Sequence, residues 1–394
     1  MPKLSVEDLD LAGKRVFLRV DLNVPLAEGQ VADDTRLQTA LPTLLYCLKA
    51  GAAVILASHL GRPKGKPDPK YSLAPVARRL EERLGQPVPL APDCVGEAVE
   101  ARARSLEPGQ VLLLENLRFH PEEEANDPVF AGALARLADC YVNDAFAAAH
   151  RAHASIEAIT RSLSPAAAGF LMRRELEALG RILERPERPL VAILGGAKVS
   201  DKLALVEHLL EKVDTLLIGG GMAFTFLSAL GHGVGRSLVE PGRIEVARRV
   251  LAEASRRGKS VGLPVDAVVA ESPESVESRT VGIREMPEDL MGLDIGPLTL
   301  GRFTQALGGA KTVVWNGPMG VFERPLFARG TVELARRVAV CGAFSVVGGG
   351  DTVAAVQQAG VAEKIGYLST AGGAFLEFLE GRVLPGVAAL AERA

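Results

Sequence analysis

Basic and acidic side chains follow four short apolar segments in the first half of the sequence. The first segment, RVFLRVDLNV, leads to Asp21 and Asn23, and Arg36 opens the helix predicted after it. The next three segments lead to His59, Arg62, Arg118, His150, Arg151 and His153. Guanidinium groups match the geometry of carboxylate and phosphate oxygens. If these segments are neighbouring strands, the residues together predict a site for a small polyanion.

Glycines follow the apolar segments of the second half. The pattern occurs in AILGGAKVSDKL, LLIGGGMAFTF, VVWNGPMGVFE, FSVVGGGDTVAA and STAGGAFLEFL. Glycine allows a ligand to approach the backbone closely, and a helix N-terminus offers free N–H groups to phosphate. Lys198 and Lys202 are predicted to lie one turn apart at a helix start, where cations oppose the helix dipole unless a polyphosphate is bound. These segments predict a nucleotide site.

Each of these features also has an interpretation without a ligand. A single arginine at a strand end can be a solvated surface residue, and Lys198 and Lys202 can be an exposed pair. Asp351 can cap a helix or, facing phosphates, hold Mg²⁺. Glu323 is a candidate acceptor for a ribose hydroxyl. The acidic run EEE at 122–124 is predicted to be a solvated loop.

Two common nucleotide-binding fingerprints are absent. RGKS at 257–260 ends like a P-loop, but Glu253 stands at the first glycine position and a strand is predicted to follow. GHGVGR at 231–236 has Arg236 in place of the last glycine of GxGxxG. His150 and His153 have the spacing of metal ligands, but no third ligand is near them in sequence.

Composition limits the classes of protein that remain. The 394 residues are 48% hydrophobic and 24% charged, which favours about two folded domains over a disordered chain. The net charge of −3 argues against nucleic acid or membrane surfaces as partners. The four cysteines have no CxxC spacing, so neither a zinc site nor a disulfide framework is expected. The N-terminal residues lack the apolar core of a signal peptide.

The elements that must position these residues alternate along almost the whole chain. Strands are predicted at 16–20, 53–57, 111–114, 140–143, 190–194, 215–218, 261–263, 266–270, 312–315 and 343–347. Helical segments separate them, which predicts an α/β fold with parallel sheets buried on both faces. In such sheets ligands bind beyond the carboxyl ends of the strands. The run MRRELEALGRILE, ended by RPERP, is predicted to be a long helix that joins two doubly wound, Rossmann-like domains.

At these residues the chain resembles the phosphoglycerate kinases. The matching segments include RVFLRVDLNVPL, SHLGRP, ENLRFHPEEE, AHRAHAS, GGAKVSDKL, WNGPMGVFE, GGGDT and STAGGAFLEFLEG, in order over essentially the whole chain. The resemblance implies reversible, Mg²⁺-dependent phosphoryl transfer between 1,3-bisphosphoglycerate and ADP, giving 3-phosphoglycerate and ATP in glycolysis. It also implies a monomeric cytoplasmic enzyme.

The resemblance further implies roles for individual residues. 3-Phosphoglycerate would be bound by Asp21, Leu22, Asn23, Arg36, His59, Leu60, Gly61, Arg62, Arg118 and Arg151. The nucleotide would be bound by Lys198, Lys202, Gly219, Gly220, Gly292, Asn316, Pro318, Glu323, Gly349, Gly350, Asp351 and Thr352, with Asp351 at the Mg²⁺. The transferring phosphoryl group would be neutralised by Arg36, Lys198, Lys202 and the backbone N–H groups of Gly350 and Gly373.

The break between the two domains is predicted near 165–187, and with the resemblance it divides the chain by ligand. Residues 1–168 would bind 3-phosphoglycerate, 169–186 would connect, and 187–380 would bind the nucleotide, with the tail 381–394 packed on the first domain. Since the two ligands would be held by different domains, we expect the domains to close before transfer.

Two departures and two alternatives accompany the resemblance. Ala147 and Ala371 stand where the family usually has glycine. One alternative is another carboxylate kinase of the same architecture, and the other is a non-catalytic nucleotide- and anion-binding relative. The presence of Arg36, Lys202 and Asp351 favours a catalyst.

Overall fold

The structure, a computed structural model, describes residues 3–393. The chain forms two compact units, one comprising the residues up to Leu176 and those from Val383 onward, the other Glu177–Arg382. Over the described range, no helix combines the length and the apolar character that crossing a membrane requires.

A five-stranded parallel sheet forms the centre of the first unit, in the order β5-β4-β1-β6-β7. The strands of this unit, including the separate hairpin β2–β3, are β1 (Arg15–Arg19), β2 (Leu26–Ala27), β3 (Gln30–Val31), β4 (Ala53–Ala57), β5 (Val111–Leu113), β6 (Cys140–Asn143) and β7 (Ala166–Ala168). The helices are α1 (Thr35–Lys49), α2 (Ala74–Leu84), α3 (Glu97–Arg104), α4 (Pro121–Glu124), α5 (Pro128–Ala135) and α6 (Phe170–Leu183), of which α6 continues into the second unit.

Strand β1 is central, and both of its faces are buried. The alternate residues on one side, in the strand and just after it, form part of the hydrophobic core: Val16, Leu18, Val20, Leu22 and Val24. On the opposite face Phe17 stacks on Tyr141, with ring centroids 6.1 Å apart, and Arg19 is only 1% exposed. Even the charged residue on this face, Arg19, therefore faces protein rather than solvent.

The strands of the first sheet end at one edge. Arg19, the last residue of β1, is in register with Ala57 of β4 and Asn143 of β6. The segments that follow these three strands therefore leave the sheet together. They contain Asp21, His59 and Arg151, three of the predicted anion-binding residues.

A six-stranded parallel sheet forms the centre of the second unit, in the order β10-β9-β8-β14-β15-β16. The strands of this unit are β8 (Leu190–Leu194), β9 (Thr215–Ile218), β10 (Ser260–Gly262), β11 (Asp266–Ala270), β12 (Arg279–Gly282), β13 (Met291–Ile295), β14 (Thr312–Asn316), β15 (Phe344–Gly348) and β16 (Tyr367–Ser369). Its helices are α7 (Leu203–Lys212), α8 (Met222–Ala229), α9 (Ile244–Arg256), α10 (Pro297–Leu307), α11 (Arg329–Val340), α12 (Gly350–Gln358) and α13 (Gly373–Leu379).

The strand predicted at 266–270 is present, but it does not belong to the parallel sheet. β11 pairs antiparallel with β12 and β13 in a separate three-stranded sheet. Only residues 263–265 separate β10 from β11. A parallel neighbour requires a crossover of about a dozen residues or more, so this connection is too short.

The C-terminal segment, which includes α14 (Pro385–Ala388), is hydrogen-bonded within the first unit. The Gly386 N–H donates to Ala149 O at 2.9 Å. The Ala391 N–H donates to Ala166 O at 3.0 Å, and Ala391 O accepts from the Leu4 N–H at 2.8 Å. A Cβ at Gly386 would lie 2.6 Å from Ile156, so glycine permits this close contact.

Candidate active site

Asp21 and Arg36 form an ion pair just beyond β1. Arg36 Nη1 donates to Asp21 Oδ2, and the Asn23 N–H donates to Asp21 Oδ1 at 3.0 Å. Arg36 is the second residue of α1, as predicted from the sequence. The side chain of Asp21 is 8% exposed and that of Arg36 is 36% exposed. Asp21 therefore holds a guanidinium group that a ligand can still reach.

Asn23 connects the first polar segment to the loop after β4. Asn23 Oδ1 accepts from the Gly61 N–H at 2.8 Å, and Gly61 O accepts from Arg118 Nη1 at 2.9 Å. Burial lowers the pKa of Arg118, and the charge of Glu124, whose Oε1 lies 3.1 Å from Arg118 Nε, opposes this shift. Three predicted anion-binding residues, Asn23, Gly61 and Arg118, thus form one hydrogen-bonded group.

His59 is buried beside Arg19. Arg19 Nη2 lies 3.2 Å from His59 Nδ1, and His59 is 6% exposed. Burial lowers the pKa of His59 well below its usual range, and nearby cationic and imidazole groups act in the same direction: Arg19, Arg118, Arg36 and His153. The imidazole of His59 is therefore neutral at physiological pH.

Asn116 is a buried residue of this region that the sequence did not single out. Asn116 Oδ1 accepts from the N–H groups of Leu60, at 3.2 Å, and Arg118, at 3.0 Å, while its Nδ2 donates to Leu60 O at 2.7 Å. The Leu22 N–H donates to Ser58 Oγ at 2.8 Å. Leu22 and Leu60, both predicted to bind substrate, thus use their backbone N–H groups internally and bury their side chains.

The remaining predicted residues of the first unit are less constrained. Arg62 is exposed in the loop after β4. Arg151 is half-buried, and its Nε donates to His150 Nε2 at 3.1 Å. Ala147 lies in the short 3₁₀ turn Phe146–Ala148 and has no positive φ. The alanine in place of the family's glycine therefore introduces no backbone strain.

The prediction of a solvated loop for residues 122–124 is wrong at its central residue. These residues belong to α4, and Glu123 is fully buried. Glu123 Oε1 accepts from Ser155 Oγ at 2.6 Å, and Glu123 Oε2 accepts from the Ser155 N–H at 2.9 Å. A buried carboxylate requires such partners, and Ser155 is too distant in sequence for them to be inferred.

In the second unit, Lys202 is held by the end of β14. Its Nζ donates to Asn316 O at 3.1 Å and also to Asn316 Oδ1. Burial lowers the pKa of Lys202 to about 8, although the charges of Asp351 and Asp201 oppose this shift. The ammonium group is therefore bound by neutral oxygen atoms rather than by a carboxylate.

The predicted helical turn containing both Lys198 and Lys202 is wrong. Helix α7 begins at Leu203, with Lys202 as its N-cap residue, and Lys198 is exposed in the preceding loop. The cause is Ser200, whose N–H and hydroxyl donate to the Glu240 carboxylate at 3.0 and 2.6 Å. These bonds hold the segment in a turn and delay the start of the helix.

Asn316, Gly349 and Thr352 join the ends of β14 and β15. Asn316 Nδ2 donates to Gly348 O at 2.7 Å, and Thr352 Oγ1 accepts from the Gly317 N–H at 2.7 Å. Gly349 has φ +93°, and a Cβ there would lie 2.6 Å from Asn316 Nδ2. The close approach of the two strand ends thus requires glycine at this position.

Asp351 lies in the first turn of α12 and is exposed. The helix begins at Gly350, and its N-cap residue is Gly349, so Asp351 is not the cap. An exposed carboxylate at this place suits Mg²⁺, which prefers oxygen ligands. Gly350 has open space around its Cβ position, and Gly373 is the first residue of α13.

Most of the other predicted nucleotide-binding residues line a cavity of about 440 Å³. Its walls include Gly220, Gly292, Pro318, Glu323 and Asp351. This volume is typical of a small-molecule site. A Cβ at Gly292 would lie 2.0 Å from Phe224 in the cavity wall, and one at Gly219 would lie 2.4 Å from Met319 Sδ.

Ala371, the second departure from the family pattern, is buried close to the start of α13. Its N–H donates to Ser369 Oγ at 3.3 Å, and the residue is 5% exposed. Its φ is not positive. The methyl group is therefore accommodated without backbone strain, and Gly372 supplies the left-handed conformation, with φ +55°, that precedes the helix.

Within residues 3–393, one group of three potential metal ligands lies close together in the first unit: Asp93, Cys94 and His120. His120 Nε2 lies 2.6 Å from Asp93 Oδ1, and Cys94 Sγ donates to Asn116 O at 3.7 Å. Burial raises the pKa of the Cys94 thiol. A protonated thiol is a poor ligand for Mg²⁺, so this cluster lacks the set of oxygen ligands that Mg²⁺ prefers.

Comparisons with known proteins agree over the length of the chain. The sequence model of the phosphoglycerate kinase family matches residues 6–382. Phosphoglycerate kinases of Moorella thermoacetica and Pelotomaculum thermopropionicum are 58% and 56% identical, over the whole of both chains in each case. The structure of phosphoglycerate kinase from Coxiella burnetii aligns with a TM-score of 0.93 at 44% identity, and that from Pyrococcus horikoshii with 0.84 at 36%.

Each structural alignment covers 98% of this chain and 98% of the solved one. Sequence and fold therefore identify the same relatives, and the match leaves out neither unit. This chain belongs to the phosphoglycerate kinase family.

Proposed function

We propose that this protein transfers a phosphoryl group reversibly between MgATP and 3-phosphoglycerate, forming MgADP and 1,3-bisphosphoglycerate. The observation that supports this most directly is that each unit contains its own set of residues, one suited to a small anion and the other suited to a nucleotide. The first unit contains Arg36 and Arg118 close to the neutral His59, while the second contains a glycine-lined cavity that includes Asp351 and lies next to Lys202.

The first set suits a small acceptor with several negative charges. Arg36 is accessible to a ligand, and its position is fixed by Asp21. Neutral His59 and Asn23 can form hydrogen bonds to a hydroxyl or carboxylate, while Arg118, Arg151 and exposed Arg62 supply charge. A phosphate at one end and a carboxylate at the other would use all of these groups.

The second set suits a nucleotide. The cavity has room for a small ligand, and Glu323 in its wall can accept a hydrogen bond from a ribose hydroxyl. Lys202, Lys198 and the N-terminal N–H groups of α12 and α13, at Gly350 and Gly373, can bind phosphates. Asp351 would hold the Mg²⁺ of the nucleotide, which neutralises phosphate charge when it is bound.

The chemical step needs little from the protein beyond position and charge. In the direction that consumes ATP, an oxygen of the acceptor carboxylate forms a bond to the γ-phosphorus, and the bond from that phosphorus to the ADP oxygen breaks. The attacking carboxylate is already ionised, so no general base is required. Arg36, Lys202 and Lys198 would stabilise the negative charge on the transferring group.

A coupled assay with 3-phosphoglycerate and ATP tests this proposal. The 1,3-bisphosphoglycerate formed is reduced by an auxiliary dehydrogenase with NADH, and the fall in NADH absorbance reports turnover. We expect activity that requires Mg²⁺ and is lost on adding a chelator. Replacing 3-phosphoglycerate by other carboxylates, with ADP release as the readout, distinguishes another carboxylate kinase. Nucleotide binding without any turnover would contradict the proposal.

The setting of the enzyme belongs to the same proposal. We place it in glycolysis, in the cytoplasm, as a monomer without nucleic-acid or membrane partners. The net charge of −3 supports the absence of nucleic-acid binding. Sedimentation at micromolar concentration would test the monomer, for which a mass near 41.6 kDa is expected.

A further inference from the structure

A chain of buried polar groups leads from α4 to His59. Glu123 Oε1 accepts from Ser155 Oγ at 2.6 Å, and Ser155 Oγ accepts from Arg19 Nε at 2.9 Å. Arg19 Nη2 then lies 3.2 Å from His59 Nδ1. Glu123 and Ser155 are 0% exposed and Arg19 is 1% exposed. These four residues come from four separate segments of the first unit, so their contact is a product of the fold.

Donor and acceptor can be assigned for each hydrogen bond between these four residues. A guanidinium group has donors only, so both Ser155 Oγ and His59 Nδ1 must accept from Arg19. The Ser155 hydroxyl is then free to donate to Glu123. Because a neutral imidazole has one accepting and one donating nitrogen, the hydrogen of His59 must be on Nε2.

The electrostatic surroundings of His59 favour the same neutral form. The charged and titratable groups that face it are Arg19, Arg118, Arg36 and His153, and the three guanidinium groups oppose its protonation. His153 is itself kept neutral, since burial lowers its pKa to about 3. Glu123 is the only carboxylate among the four residues, and Ser155 links it to Arg19 by hydrogen bonds. Its Oε1 also lies 3.8 Å from His153 Nδ1.

Glu123 and Ser155 explain how Arg19 can occupy this place. A buried guanidinium group needs a counter-charge and hydrogen-bond acceptors. Arg19 Nη1 donates to Val20 O, and Nε donates to Ser155. With these two bonds formed, Nη2 is directed at His59 and cannot rotate away.

We propose that Glu123 and Ser155 are positioning residues, which through Arg19 hold His59 as its Nε2–H tautomer and so present a neutral hydrogen-bond donor to 3-phosphoglycerate. This inference rests on the proposed function for the identity of the ligand. The tautomer itself does not depend on that function. A neutral donor at this position would form a hydrogen bond to an oxygen of 3-phosphoglycerate. It would not introduce a charge that changes with pH.

Nuclear magnetic resonance tests the tautomer directly in the full-length protein. With ¹⁵N-labelled histidine, two-bond ¹H–¹⁵N correlations distinguish an Nε2–H ring from an Nδ1–H ring. The His59→Gln variant identifies the signals by their loss. We expect the Nε2–H pattern, unchanged between pH 5.5 and 8.5. An Nδ1–H pattern, or a ring that becomes protonated within this range, would overturn the proposal.

Ser155→Ala tests the positioning role. It removes the acceptor of Arg19 Nε, so Arg19 and His59 should lose their fixed orientation. Loss of one well-placed hydrogen bond is expected to raise the KM for 3-phosphoglycerate by about tenfold, with the KM for ATP changed less than about twofold. The His59 signals of this variant should show a mixture of tautomers.

Ser5→Ala is the matched control, since Ser5 is also a buried serine of the first unit, 2% exposed, and lies outside the candidate site. It should change neither KM nor the His59 signals. A Ser155→Ala protein with unchanged KM for 3-phosphoglycerate and an unchanged tautomer would contradict the proposal. A wild-type protein without turnover would instead contradict the proposed function, and the tautomer would still be measurable.

Discussion

At the scale of single residues, Lys202 has an unusual environment for a lysine. Its ammonium group is bound by two neutral oxygen atoms of Asn316, and burial lowers its pKa to about 8. Since the folded pKa lies below the ordinary value of 10.5, the unfolded chain binds more protons between about pH 8 and 10.5. The contribution of Lys202 to stability therefore rises with pH across this window. A bound polyphosphate would reverse the shift by favouring the charged form.

We predict that binding of MgATP near pH 8.5 is accompanied by proton uptake. In the free protein roughly half or more of the Lys202 groups are neutral at this pH, and phosphate binding should protonate them. Isothermal titration calorimetry in buffers of different ionisation enthalpy measures the uptake, which should approach about half a proton or more per nucleotide. It should be much smaller at pH 7.

Two variants make this measurement specific. Lys202→Met should abolish the uptake and weaken nucleotide binding. Lys364→Met, which removes an exposed lysine of the same unit, should leave the uptake unchanged. Equal uptake by wild type and Lys202→Met would assign the proton to another group.

We predict that Arg36→Ala reduces kcat strongly while the fold is kept. The Arg36 side chain is 36% exposed, and Asp21, although only 8% exposed, keeps its hydrogen bond from the Asn23 N–H, so the fold should be kept with a moderate loss of stability. Loss of a cation at the transferring group should lower kcat by about 10²–10³-fold. Steady-state kinetics and a thermal unfolding curve measure the two effects.

Arg104→Ala is the control for this experiment. Arg104 is likewise an arginine of the first unit that is paired with an acidic residue, in this case Glu100. It should leave kcat unchanged. If Arg36→Ala retained wild-type turnover, Arg36 would have no role at the reacting group.

The sequence predicts the types of the candidate residues better than their partners. Arg36 and Asp351 were singled out by their places, at the start of a helix and after three glycines, although each residue taken alone also allowed an interpretation without a ligand. Glu123 was not, because its burial depends on Ser155, which is distant in sequence and contacts it only after folding. Lys198 and Lys202 were wrongly placed on one helical turn because the side-chain bonds of Ser200 to Glu240 compete with helix formation.

At the scale of elements, long buried strands with β-branched residues were predictable. β4, β8 and β9 have the predicted bounds, because short runs of Val, Ile and Leu between helical segments are typical of buried strands. β7 was missed because it consists of three alanines, which by themselves favour a helix. It is a strand because β6 supplies its hydrogen-bond partners.

Helix α6 offers a matched pair of glycine substitutions. A Cβ at Gly169, just before the helix, would lie 2.3 Å from Asp144 Oδ1, which accepts from the Met172 N–H at 3.0 Å. Gly180 is inside the helix and has open space around it. The same substitution, glycine to alanine, therefore meets a close neighbour at position 169 and open space at position 180.

We predict opposite effects of alanine at these two positions. Gly169→Ala must displace the Asp144 carboxylate from the helix start, so it should lower the free energy of unfolding by about 1–3 kcal/mol. Gly180→Ala should raise it by about 0.5–1 kcal/mol, since alanine is the better helix former. Urea unfolding measures both. A stabilising Gly169→Ala would show that Asp144 does not restrict this position.

At the scale of the whole molecule, the residues proposed for the two substrates belong to different units. The acceptor set lies before Leu176, and the nucleotide set lies within Glu177–Arg382. The chain passes from one unit to the other within α6 and returns near Val383. This division was expected from the sequence, because basic residues follow the predicted strands of the first half, glycines follow those of the second, and RPERP ends the predicted helix between them.

We predict that the two units approach each other when both substrates are bound. Direct transfer requires the reacting atoms to come within about 3–3.5 Å, and a water-free site protects the acyl phosphate from hydrolysis. Small-angle X-ray scattering with 3-phosphoglycerate and MgADP together, a pair that cannot react, should give a smaller radius of gyration than the free protein. Each ligand alone should give a smaller change, because it contacts the residues of one unit.

Arg36→Ala provides the decisive comparison for this scattering experiment. If closure depends on charge brought together from the two ligand sets, this variant should bind MgADP normally but show less compaction with both ligands. A radius of gyration that does not change on adding both ligands to the wild type would contradict closure.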